Sequence, residues 1–148
     1  MLDALKPDSA VVERSAVHEQ TMPRKFINLG LMSSRLCERP SSIPNQITKE
    51  VDSVALDDYL HNWIEAVPKG RTLLKVHVEG AELAALRGAK RLIDKLSPDI
   101  FINLSHDEES LLEIVPYLKN NYGYELKLIA YSLFGEGLTL AASRMTND

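Results

Sequence analysis

The sequence predicts an α/β fold, built on a mainly parallel sheet and closed by a C-terminal antiparallel hairpin. Three observations carry this expectation. The stretch from Leu73 to Ile102, "LLKVHVEGAELAALRGAKRLIDKLSPDIFI", reads as strand, turn, helix and strand. Its first strand, Leu73 to Val78, is nearly apolar on both faces, as in parallel sheets covered by helices. Near the C-terminus, "YELKLIAY" and "LTLAASR" flank Gly135-Glu136-Gly137, which signals a tight turn between two strands.

In chain order, residues 1–10 carry little periodicity and read as a tail, and "AVVERSAV", Ala10 to Val17, is rich enough in valine for a short strand. Residues 30–49 hold Ser33, Ser34, Pro40, Ser41, Ser42 and Pro44, a loop composition of unusual length. Val51, Val54 and Leu56 suggest an extended piece, after which Asp57 or Asp58 is placed to cap a short helix carrying Leu60, Trp63 and Ile64. Pro68-Lys69-Gly70 ends that helix.

The core unit spans residues 71–144. Gly80 breaks the first strand, and Leu83, Leu86, Ala89, Leu92, Ile93 and Leu96 then recur at helical spacing, predicting one helix from about Ala81 to Leu96. Ser97-Pro98 stops it, and Asp99 to Leu104 forms a second buried strand, parallel to the first through a right-handed crossover. Ser105 stands three residues before Glu108, a capping-box spacing that opens a helix with Leu111, Leu112, Ile114, Val115 and Leu118. Pro116 lies inside this pattern and predicts a kink or a split.

At 148 residues, one domain is expected over 1–148. The formal net charge of −4 speaks against a nucleic-acid surface, and no apolar run approaches the roughly 20 residues that span a bilayer. The N-terminus lacks a basic head followed by an apolar block, and the single cysteine, Cys37, allows no internal disulfide. A cytoplasmic protein with no membrane or nucleic-acid partner is the expectation.

Several common chemistries lack their motifs. There is no P-loop lysine pattern, no G-x-G-x-x-G opening a helix, no paired cysteines or H-E-x-x-H for zinc, and no G-x-S-x-G. What remains is Lys75, His77, Glu79 and Glu82 around the carboxyl end of the first core strand, with Ser105, His106 and Asp107 at the end of the second. Ligands of open α/β sheets bind beyond these strand ends. Two histidines and several carboxylates there suit an acid–base pair or a metal site. The plainer alternative is a hydrogen-bonded structural histidine, acids that favour helix starts, and a solvated Glu82.

These stretches resemble the FkbM-type methyltransferases. Leu56 to Tyr59 matches the family's Leu-Asp-Asp-Tyr, and Lys75 to Glu82 aligns with its Lys-Ile-Asp-Val-Glu-Gly-Ala-Glu block. Leu86 to Ala89 matches its Leu-x-Gly-Ala, and Pro98-Asp99 matches the pair before its next strand, so the resemblance runs from about Val11 to Arg144. It implies a Rossmann-like, class I methyltransferase-like sheet that uses S-adenosylmethionine, generally on hydroxyl groups of small-molecule, glycan or lipid-like acceptors.

Two departures stand out. The family's glycine-rich cofactor turn and ribose-binding acid lie in an N-terminal half without a counterpart here. The resemblance therefore implies a C-terminal half lacking the first strands, in which S-adenosylmethionine binding by this chain alone is weak or absent. The family's usual aspartate at position 77 is also a histidine here. The implied catalytic residues are His77, Glu79 and His106, with Lys75, Glu82 and Asp107 toward the acceptor and no metal. A non-catalytic remnant or partner-dependent binding module is the second reading, and a metal-dependent hydrolytic site ranks last. An incomplete sheet exposes an edge strand, which invites a homo-oligomer or a partner carrying the other half.

Overall fold

The computed structural model describes residues 11–27, 35–36, 48–66, 70–104, 108–130 and 137–144. Among these residues two four-stranded sheets form. The first joins β1 (Ala16–Val17), β2 (Met22–Ile27), β3 (Arg35–Leu36) and β4 (Thr48–Val54) in the order β1-β4-β2-β3. Ser53 on β4 is buried, and its hydroxyl donates to the carbonyls of Gln20 and Met22, which ties β4 to the start of β2. Of the described part of the valine-rich stretch, residues 11–17, only Ala16–Val17 is strand.

Two short helices follow, α1 (Leu56–Tyr59) and α2 (His61–Ala66). Neither Asp57 nor Asp58 caps its own helix. The N-cap of α1 is Ala55, with no side-chain bond, and Asp58 accepts the Thr21 hydroxyl at 2.6 Å.

The second sheet runs β5 (Leu73–Val76), β6 (Asp99–Asn103), β8 (Leu138–Ser143) and β7 (Glu125–Ala130), in that spatial order. β5 and β6 are parallel neighbours in a register from Leu73↔Asp99 to Val76↔Ile102. The C-terminal pair β7–β8 is antiparallel, and β8 also lies antiparallel to β6. The βαβ unit and the hairpin are as expected, whereas both sheets are mixed rather than mainly parallel. Gly135 and Glu136 of the hairpin turn lie outside the described residues.

The single helix expected between β5 and β6 is two, α3 (Glu82–Arg87) and α4 (Lys90–Leu96), broken at Gly88-Ala89. The apolar pattern continues through the break because both pieces face the sheet. Packing explains the break. A Cβ on Gly88 would stand 2.2 Å from the carbonyl oxygen of His18, so the chain after β1 sits directly on this glycine. The Gly88 carbonyl accepts the Asp57 N–H at 2.8 Å. The Asp57 carboxylate in turn accepts the N–H groups of Arg91 (2.8 Å) and Leu92 (3.0 Å), taking up free donors in the first turn of α4.

Helix α5 (Glu108–Tyr122) runs through Pro116 without splitting. Pro116 is exposed, so water can take the carbonyl that loses its partner. Gly123, at φ 69, closes the helix by donating its N–H to Lys119.

Ile64, Leu86, Ile93, Ile100, Ile102, Ile114, Leu118 and Leu140 are fully buried between the helices and one face of the second sheet. Each contributes roughly 2 kcal/mol relative to an exposed side chain. The other face is different. The register places Lys75 beside Phe101, away from Val76 and Ile102, and Leu73 (65% exposed) and Phe101 (39%) are open there. β5 is an edge strand with one face bare among the described residues, not a strand buried on both sides. No helix among the described residues is long and apolar enough to cross a membrane.

At the far end of the sheet, α4 stops at Ser97, whose φ is 46. Arg144 donates to the Ser97 hydroxyl at 2.6 Å and lies over the rings of Tyr122 and Tyr124. The Tyr124 hydroxyl donates to the Pro98 carbonyl at 2.7 Å, and burial pushes its pKa up to about 12.

Candidate functional site at the carboxyl end of β5

β5 ends at Val76, two residues earlier than its apolar pattern suggests. The Val78 N–H has left the ladder: it donates to Glu82 Oε1 at 3.3 Å, and the Gly80 N–H donates to Glu82 Oε2 at 2.9 Å. The chain between them turns through two residues of positive φ, Glu79 at 53° and Gly80 at 97°. Gly80 suits this conformation, whereas a glutamate there is costly.

Glu82 is what holds the turn. It is only 4% exposed, so it is not solvated surface. Backbone N–H groups converging at such a turn form a nest for anions. Here the protein's own carboxylate fills it.

The turn brings Glu79 back onto His77, with Glu79 Oε1 3.3 Å from His77 Nε2. The pair is accessible: 42% of the His77 side chain and 27% of that of Glu79 are exposed. Asn103, the last residue of β6, places its Nδ2 3.3 Å from the same imidazole nitrogen. The parallel register Val76↔Ile102 puts these two strand ends side by side. Lys75 is exposed on the face shared with Phe101, two residues before His77.

The structure therefore joins His77 and Glu79, adds Asn103, and turns Glu82 inward. His106 and Asp107, with Ser105, lie outside the described residues. Among the described residues no three His, Cys, Asp or Glu side chains gather as a metal site. Asn103 escapes a reading built on titratable groups. Its signal is positional: a polar amide closing an apolar strand beside the histidine strand.

An exposed imidazole next to a carboxylate can take up a proton and have the resulting charge stabilised. An acid–base role at the sheet's carboxyl edge is within reach of this geometry.

A family model for the methyltransferase FkbM domain matches residues 9–126. No curated protein matches the sequence. Among solved structures, the fold is similar to the methyltransferase FkbM from Methylobacillus flagellatus KT, with a TM-score of 0.60 and 21% identity. The match covers 89% of this chain and 28% of that one, so this chain spans under a third of that protein's length. With the family model covering most of its residues, the chain belongs to the FkbM methyltransferase domain family.

Proposed function

We propose that the chain forms the acceptor side of an S-adenosylmethionine-dependent O-methyltransferase, as the C-terminal half of the domain. The observation that carries this reading is the His77–Glu79 pair, held at the carboxyl edge of β5 by the buried Glu82.

The described residues do not fit the cofactor itself. The strand-to-helix turn at Gly80 has the N–H donors that a ligand oxygen would need, but Glu82 occupies them. Gly80 itself is accounted for by its positive φ of 97°, with open space where a Cβ would stand. S-adenosylmethionine, when bound, supplies an electrophilic methyl group on a sulfonium sulfur, and its nucleoside would have to be held elsewhere.

The residues here serve the acceptor. His77 Nε2 is positioned to accept the proton of a hydroxyl as its oxygen becomes the nucleophile. Glu79 then faces an imidazolium and stabilises it, and Lys75 lines the approach. The histidine at position 77 leaves this edge less acidic than the family's aspartate would, and Glu79, which the family block also carries, is the acid that remains beside it. Small-molecule, glycan or lipid-like alcohols are the acceptor class.

The filled nest and the bare sheet face favour a second reading, a partner-dependent binding module without catalysis. Calorimetric titration with S-adenosylmethionine separates the two. The chain alone is expected to give weak binding or none. Mixed with a polypeptide carrying the glycine-rich half of an FkbM domain, it is expected to bind and to transfer labelled methyl groups to an alcohol. Partner binding without methyl transfer would favour the module. Micromolar cofactor binding by the chain alone would mean that this chain holds the nucleoside itself, against the acceptor-side assignment.

A further inference from the structure

We propose that Asn103 is a positioning residue that sets where His77 carries its proton, donating its side-chain N–H to Nε2 and so keeping that nitrogen an acceptor. The inference deepens the acceptor-side reading and rests on it for its use in catalysis.

The geometry contains a conflict. His77 Nε2 lies 3.3 Å from Asn103 Nδ2 and 3.3 Å from Glu79 Oε1. An amide nitrogen only donates, and an ionised carboxylate only accepts. A neutral imidazole has one N–H and one acceptor nitrogen, so Nε2 satisfies one of these neighbours at a time. With Asn103 donating, the proton resides on Nδ1 and Nε2 keeps its lone pair. With Glu79 accepting, Nε2 must carry the proton.

Two features favour Asn103 in the neutral state. Its position is fixed by the strand register, since it closes β6 beside the end of β5. The carboxylate of Glu79 is partly solvated, so water screens its pull on the Nε2 proton. Among the described residues, Lys75 is exposed two residues earlier, and the carboxylate of Glu82 is engaged by backbone N–H groups.

Proton uptake reverses the preference. The acceptor hydroxyl displaces the Asn103 N–H from the single Nε2 lone pair, its proton bonds there as its oxygen attacks, and once the product leaves the new N–H donates to Glu79. The Asn103 amide then rotates about Cβ–Cγ and presents its oxygen. His77 thus exchanges partners as it changes charge: Asn103 serves the base and Glu79 serves its conjugate acid.

The test uses the full chain with 15N-labelled histidine, and no methyl donor or acceptor. Long-range proton–nitrogen spectra are recorded near about pH 8, where an ordinary imidazole is neutral. The His77 signals are assigned from a His77→Gln variant. The expected wild-type form has the proton on Nδ1. Asn103→Ala is expected to move it to Nε2, and Asn103→Asp, close to isosteric should alanine disturb the fold, to do the same. Glu79→Gln should leave the proton on Nδ1. A wild-type chain already protonated at Nε2, or one tautomer shared by the wild type and both Asn103 variants, would overturn the proposal. Because no methyl transfer is measured, a tautomer change without activity in any mixture would refute the functional reading and leave this inference standing.

Discussion

The two ends of the parallel pair β5–β6 make a natural comparison. Each has a non-glycine residue in left-handed conformation close by, Ser97 at φ 46 and Glu79 at φ 53. Ser97 stops a helix: its N–H bonds to Ile93, and its hydroxyl accepts from an arginine laid over two tyrosine rings. Its strain is spent on architecture. Glu79 stops nothing. Its conformation delivers a carboxylate to a half-exposed imidazole, and a second, buried glutamate is needed to hold it there. Backbone strain alone therefore does not mark a site. The strain at Glu79 differs in leaving titratable groups within reach of solvent.

The largest expected effect falls at the carboxyl end. Glu82→Ala leaves the N–H groups of Val78 and Gly80 without their acceptor in a partly buried turn. A loss of about 3 kcal/mol in urea unfolding is expected, since removing a charged acceptor costs roughly 1.5–3 kcal/mol per bond. An effect under about 0.5 kcal/mol, the level of an ordinary surface change, would refute the bracing role.

The opposite end is expected to respond less. Tyr124→Phe removes one buried hydrogen bond, to the Pro98 carbonyl, at a cost of about 1 kcal/mol. The same residue sets a pH dependence. Its pKa rises from 10.0 to about 12 on folding, so the neutral phenol is favoured in the native state. That contribution is complete below pH 10 and is lost as the pH rises toward 12. Unfolding measured across this window should show a decline in wild type that Tyr124→Phe lessens, the remainder coming from Tyr122, whose pKa burial also raises.

The smallest effect sharpens the comparison most directly. Glu79→Gly relieves the left-handed strain and is expected to stabilise the chain by up to about 1 kcal/mol while removing the acid beside His77. Ser97→Gly relieves a similar strain but loses the Arg144 bond, so its gain in melting temperature should be the smaller. A larger gain at Ser97 would mean that the two strains are not comparable.

The βαβ unit and the hairpin were legible because apolar periodicity and turn residues announce them. β2 was not, because Pro23, Arg24 and Lys25 interrupt its pattern, and its partner strand β4 supplies the ladder. The break at Gly88 was hidden by an apolar stripe that continues through it, and its cause, the His18 carbonyl, lies far away in sequence. At the site, His77 and Glu79 could be read from motif and position. Glu82 resembled a solvated helix acid because burial is invisible in sequence. Asn103 matters through register alone. Asp57 sits in a recognisable motif, yet it works on another helix, by a contact no local rule supplies.

The seat of β1 on Gly88 has a consequence for the order of assembly. Residues that meet across a longer stretch of chain incur a somewhat larger loop-closure entropy before the contact stabilises anything. Strands β5 and β6, joined by a short crossover, meet far sooner. The socket for the His18 carbonyl exists only once α3 and α4 have folded back and Asp57 has reached the first turn of α4. The first sheet is therefore expected to dock late, onto a finished surface, and position 88 must stay without a side chain for the two to close.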